Sequence, residues 1–202
     1  MPSRREETDP DAAPWRGRVS TWRARRARQV LSGGGLIAYP TEAVWGLGCD
    51  PWNRAAVGRL IELKGRHAAQ GIILVAAELG QVDSLVEWPG GERGERVKES
   101  WPGFVTWILR ARPAVPDLIS GGRATVAVRI SAHPVVRELC LAFGGPLVST
   151  SANPHGSRPA RSALAVRRYF PAGLDLIVHG RLGGEVRPSP IRDAGTGAYL
   201  RV

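Results

Sequence analysis

Two short stretches, far apart in the chain, carry residue types suited to a polyanion. The first is Lys64-Gly65-Arg66, two cations flanking a glycine directly after an amphipathic segment. Lysine is a mobile point charge and arginine a rigid fork, and both match phosphate oxygens. The second is Ser149-Thr150-Ser151-Ala152-Asn153, a row of hydroxyl and amide groups following an apolar run. On an extended chain side chains alternate, so Ser149 and Ser151 face one way and Thr150 the other. Asn153 precedes Pro154 and is biased to extended backbone. Arg129 is the third candidate, near the end of the apolar run Thr125-Val126-Ala127-Val128-Arg129-Ile130. A guanidinium there must find an anion or leave the core, and it can grip a carboxylate through two parallel hydrogen bonds. Each candidate has a structural alternative. Cations at a helix C-terminus complement the macrodipole, a Ser/Thr/Asn row serves as a cap or turn, and Arg129 serves in an internal ion pair.

The elements that must position these residues follow from pattern. Asn53 is a good N-cap, and Ala56, Val57, Leu60, Ile61 and Leu63 form a helical stripe. That helix should end near Lys64, with Gly65 supplying the release. Thr125–Ile130 reads as a strand that delivers Arg129, and Pro146-Leu147-Val148 as a strand leading into the hydroxyl row. Around them, a helix is expected over Val19–Leu31, ended by Ser32-Gly33-Gly34-Gly35. Leu36–Tyr39 reads as a buried strand stopped by Pro40, with Thr41–Gly48 a polar-then-glycine stretch at its carboxyl end. Ile72–Ala76 is a second buried strand, Leu79–Val86 a short helix, Glu92–Glu99 an exposed helix and Phe104–Leu109 a strand. Pro113 and Pro116 mark a loop, Pro134 opens a helix to about Phe143, and Ser162 caps one reaching Tyr169. Leu174–Val178 and Tyr199–Arg201 are late strands. Strands and helices interleave without strict βαβ order, which predicts an α/β domain with a mixed, twisted sheet.

Composition narrows the function classes. The 202 residues suit one domain, with residues 1–18 as a disordered charged tail and 19–202 as the folded body. No apolar run is long enough to cross a membrane, and no apolar leader follows the N-terminus. Cys49 and Cys140 are the only cysteines, which predicts a reducing, cytoplasmic setting and no disulfide framework. The net charge of +10 favours phosphate-bearing partners. Arg16, Arg18, Arg23, Arg25, Arg26 and Arg28 cluster with no acid among them, as a solvated helix face or an RNA-facing patch. The chain has no Walker A loop, dinucleotide fingerprint, zincin helix or nucleophile elbow. Its four histidines lack metal-ligand spacing, so no metal site is expected on them.

The motifs together resemble a known family. Tyr39-Pro40-Thr41-Glu42-Ala43-Val44-Trp45-Gly46-Leu47, Lys64-Gly65-Arg66, Val126-Ala127-Val128-Arg129 and Ser149-Thr150-Ser151-Ala152-Asn153 are similar, in order and spacing, to those of the YrdC/TsaC family, the threonylcarbamoyl-AMP synthases. The resemblance runs from about Gly34 to the C-terminus and includes Pro188-Ser189-Pro190-Ile191-Arg192-Asp193. It implies a single YrdC-like α/β domain, its twisted mixed sheet and helices set around a basic concave cavity. It implies a nucleotidyltransferase that joins L-threonine, bicarbonate and ATP into threonylcarbamoyl-adenylate with release of pyrophosphate, and magnesium carried by the nucleotide. It also implies a downstream threonylcarbamoyl transferase that modifies tRNA, and possible contact with tRNA or double-stranded RNA.

Residue by residue, the resemblance puts Lys64 and Arg66 on the triphosphate and the carboxylated intermediate as the catalytic pair. It puts Thr125, Ser149, Ser151 and Asn153 with the ATP, and Thr41, Arg129 and Thr150 at the threonine end. Ala43 stands where many relatives have threonine, Val75 where some have a histidine on the amino-acid pocket, and Pro190 where a threonine is common. The match corresponds to the short, single-domain form. Two rival readings stand beside it: a non-catalytic RNA-binding module using the same cavity, and a carbamoyl-phosphate-handling domain like the related module of hydrogenase maturation.

Overall fold

The computed structural model describes residues 20–201, apart from the side chain of Ala68. The expected tail over residues 1–18 lies outside the described residues, as do Arg16 and Arg18. In chain order the elements are α1 (Thr21–Ser32), β1 (Ile37–Pro40), β2 (Trp45–Gly48), α2 (Arg54–Lys64), β3 (Ile73–Ala76), β4 (Val86–Glu87), α3 (Gly91–Glu99), β5 (Thr106–Ala111), α4 (Asp117–Ser120), β6 (Thr125–Ile130), α5 (Pro134–Phe143), β7 (Leu147–Ser151), α6 (Ala163–Tyr169), β8 (Leu176–Ile177), β9 (Ile191–Asp193) and β10 (Tyr199–Arg201). No helix among the described residues is long and apolar enough to cross a membrane.

The strands form one mixed sheet in the order β10-β9-β5-β6-β3-β7-β2-β1-β8, with β4 paired to β5. β3–β6, β5–β9 and β1–β8 are parallel, and the remaining pairs antiparallel. Period-two alternation divides the sheet into two unlike faces. Leu47, Leu74, Val126, Val128 and Val148 point into one core, which α2 closes with Val57, Leu60 and Ile61. Each such buried side chain contributes about 1.5–3 kcal/mol. Ile37, Tyr39, Val75 and Leu147 point to the other face, where Ala27 and Leu31 of α1 and Val135, Val136 and Leu139 of α5 cover them. This second layer stops short. Ile108, Thr125, Ala127, Arg129, Ser149 and Ser151 lie beyond it, and there the sheet is hollow.

Several expectations are corrected. Trp45–Gly48 is itself a strand, the hairpin partner of β1 with Tyr39 opposite Gly46. The Tyr39 ring lies against both glycines of β2, so packing outweighs their weak strand propensity. Only one 3₁₀ turn, Leu79–Gln81, forms where a helix to Val86 is expected. Gln81 accepts from the Ala77 amide and donates to the Cys140 carbonyl, tying that turn to α5, and β4 then pairs with β5. The Pro116 loop contains the four-residue helix α4. The hydroxyl row begins inside β7 rather than after it. β9 has only three residues, too few for a periodic signal.

Candidate active site

The C-terminus of α2 brings the two polar stretches together. Asn53 caps the helix, its side chain accepting from the Ala56 amide at 3.0 Å. At the other end Gly65 adopts φ +60°, its amide donating to Glu62 and that of Arg66 to Ile61. This is the left-handed release that glycine makes without a Cβ penalty. The turn sends Lys64 and Arg66 to different places. Lys64 is 5% exposed. Its ammonium donates to the carbonyl oxygens of Ser151 and Asn153, the latter at 2.8 Å, while its own carbonyl accepts from the His155 amide. Burial, with Arg66 nearby, lowers its pKa to about 8.

Arg66 turns into a cavity of about 440 Å3 on the open part of the sheet. Its Nη2 donates to the Gly71 carbonyl at 2.7 Å, and Nη1 lies 3.4 Å from Thr150 Oγ1. Its Nε is buried and meets no acceptor among the described residues. Burial and the neighbouring Arg123 push its pKa down. Arg123 is braced by the carbonyls of Ala69 and Ser120. Among the described residues, four arginines line the cavity, Arg66, Arg123, Arg129 and Arg201, and no carboxylate lines it.

Arg129 stands in the middle of this wall, on β6, with its side chain 8% exposed. Its Nη2 lies 3.3 Å from Glu42 Oε2, an ion pair nearly closed to water. The Phe104 ring lies 6.0 Å away, within cation–π range. Thr41 also lines the cavity, and its hydroxyl donates to the Val44 carbonyl at 2.7 Å, closing the β1–β2 turn.

Of the residues singled out in the sequence, Thr41, Arg66, Thr125, Arg129, Ser149, Thr150 and Ser151 line this one cavity. Lys64 and Asn153 stand behind its wall. The Asn153 amide group donates to the carbonyls of Pro154 and Ser157, holding the loop after β7. Ala43 lines the cavity, whereas Val75 points into the α1–α5 core on the same sheet face. Sequence reasoning passed over Arg123, Arg201 and the Glu42 partner of Arg129. Arg201 was legible as a cation on a strand, but nothing local says that β10 returns to the cavity.

The arrangement offers fixed positive charge, hydroxyl donors and an apolar floor, the equipment for binding a charged nucleotide beside a small zwitterion. Comparison with known proteins bears on this. The Sua5/YciO/YrdC family model, described as telomere recombination, matches residues 29–202. The threonylcarbamoyl-AMP synthase of Halorhodospira halophila is 57% identical over 180 residues, covering 89% of this chain and 94% of that one. That of Pseudomonas fluorescens is 48% identical, covering 91% and 98%. The crystal structure of P. abyssi Sua5 complexed with L-threonine superposes with a TM-score of 0.80 at 34% identity. It is covered over 88% of this chain and 52% of that one, so the chain spans about half the length of that protein.

Proposed function

The chain belongs to the Sua5/YciO/YrdC family, and from that premise we propose that it is a threonylcarbamoyl-AMP synthase acting in the arginine-lined cavity. The observation that carries this reading is the identity to a synthase across nearly its whole length. In the reaction the threonine amine takes up bicarbonate, losing water to form a carbamate. A carbamate oxygen then attacks the α-phosphorus of ATP, the bond to the β-phosphate breaks, and pyrophosphate leaves. Such a transfer needs charge neutralisation and in-line positioning more than a protein nucleophile.

The residues divide accordingly. Arg66 takes the phosphates and the carbamate, with Arg123 adding charge on the same side. Lys64 acts from behind the wall. Two of its three N–H groups hold Ser151 and Asn153, and the third, with the ammonium charge, is left for the anion. Ser149, Ser151, Thr125 and the loop held by Asn153 bind the nucleotide. Thr41, Thr150 and Arg129 form the amino-acid end, with Arg129 on the threonine carboxylate. Magnesium is expected to enter on the phosphate oxygens of the nucleotide.

A downstream threonylcarbamoyl transferase consumes the adenylate to modify tRNA in the cytoplasm. Contact with tRNA falls on the outward face of α1. There Trp22, Arg25, Arg26 and Gln29 follow one another at helical spacing, opposite the buried Ala27 and Leu31, and Trp22 is 73% exposed. An aromatic flanked by guanidiniums suits base stacking and phosphate contact. Pyrophosphate release from ATP, with L-threonine and bicarbonate omitted in turn, tests the main reading. Release is expected only with both present, and release indifferent to threonine contradicts it.

A further inference from the structure

Glu42 has no role in the synthase chemistry as assigned, yet it is the residue on which Arg129 rests. We infer that Glu42 is a positioning residue of the amino-acid end, its carboxylate holding one arm of the Arg129 guanidinium so that the rest of the fork is presented to a substrate carboxylate. The inference rests on the synthase reading.

Both partners are buried, with side chains 8% and 9% exposed. Bringing an ion pair out of water costs more than its attraction returns unless its geometry and hydrogen bonding are good, and an apolar pair often serves stability as well. Glu42 meets that condition through one oxygen. Its Oε1 accepts from the fully buried Ser131 hydroxyl at 2.6 Å, while its Oε2 faces Arg129 Nη2 at 3.3 Å as an ion pair without a hydrogen bond. Ser131 Oγ in turn accepts from the His133 amide at 3.1 Å. The backbone of Glu42 is pinned as well. Its carbonyl accepts from the Glu185 amide, and Gly183 packs so closely that a Cβ there would stand 2.9 Å from Glu42 Cα.

Arg129 does not have its donors satisfied in return. Its Nε is buried and meets no acceptor among the described residues, and the side chain lines the cavity. A pair built for stability alone would close all of the guanidinium's donors inside the protein. This one engages one arm by charge and leaves the Nε–H without an acceptor among the described residues, on a side chain that lines the cavity.

The test is steady-state kinetics of the full-length protein. Glu42→Gln keeps the size and the bond from Ser131 but places an amide against the guanidinium. It should raise the KM for threonine about ten- to hundredfold, as expected when one buried charged interaction is removed. The KM for ATP and kcat should stay within about twofold. In an Arg129→Lys background the same change should add little, because the residue it acts through is gone. Ser131→Ala, which frees the other oxygen of Glu42, should move the threonine KM in the same direction by less, and it serves should Glu42→Gln fold poorly. Parallel rises in the KM values for threonine and ATP, or an unchanged threonine KM, overturn the inference while leaving the synthase reading intact. A wild-type protein whose pyrophosphate release ignores threonine removes both.

Discussion

The ammonium of Lys64 donates to the carbonyl oxygen of Asn153 at 2.8 Å, joining the end of α2 to residues 89 positions further along. With the parallel bond to Ser151 it fixes the end of β7 against the helix that carries Arg66. The lysine is therefore a strut and a charge together, and the two roles separate by experiment.

Lysine is charged below its pKa, so this ammonium loses its charge as pH rises through about 8. We expect kcat/KM for ATP to fall over the same range. Lys64→Arg, which stays charged, should flatten that limb even at lower overall activity. A profile from about pH 7 to about pH 9.5, bracketing that pKa, checks this on both proteins. An identical limb in the variant would assign the titration to another group.

Gly65→Ala places a Cβ on a residue at φ +60°. The left-handed backbone should cost about 1–2 kcal/mol, read as a shift of the urea midpoint. The strain sits between Lys64 and Arg66, so the KM for ATP should rise more than that for threonine.

Much of this was legible in the sequence. Strand Thr125–Ile130 and helix Pro134–Phe143 are found with the bounds that their patterns give, and the Asn53 and Ser162 caps both form. Local chemistry specifies these elements. The missed parts depend on distant ones. The β2 strand contains two glycines and is held by pairing with β1 and β7. β9 is defined only by its alignment on β5. The site shows the same division. Seven of the nine candidate residues share one cavity: alternation along β6 and β7 sends Thr125, Arg129, Ser149 and Ser151 to one face, while Thr150, expected to face the other way, also lines it. That Lys64 spends its donors on backbone carbonyls, and that Glu42 meets Arg129, are interactions across the fold that no local pattern carries.

Gly183→Ala should act on the amino-acid end alone. Its Cβ would meet the Cα and carbonyl oxygen of Glu42 at 2.9 and 3.2 Å, and backbone cannot swing aside as a side chain can. A stability loss of about 1–3 kcal/mol is expected from the overpacking, with a rise in the threonine KM. Thermal unfolding and kinetics on the same preparation check both.

Arg25→Glu combined with Arg26→Glu should weaken tRNA binding. The slope of log affinity against log salt should become shallower by roughly 0.7–0.9 for each phosphate that the variant no longer neutralises. Adenylate synthesis should not change, since α1 packs on α5, away from the cavity lining. Filter binding across a salt series reads the first effect and pyrophosphate release the second. An unchanged slope would contradict the proposed RNA contact on α1.

The most direct test of the central claim follows carbon rather than phosphate. Labelled bicarbonate is supplied with ATP and L-threonine, and the nucleotide products are separated and weighed by mass spectrometry. The account predicts one adenylate that carries both the label and the mass of threonine, formed in step with pyrophosphate and abolished in Arg66→Ala. Pyrophosphate without a labelled adenylate, or a labelled product formed equally without threonine, would contradict it.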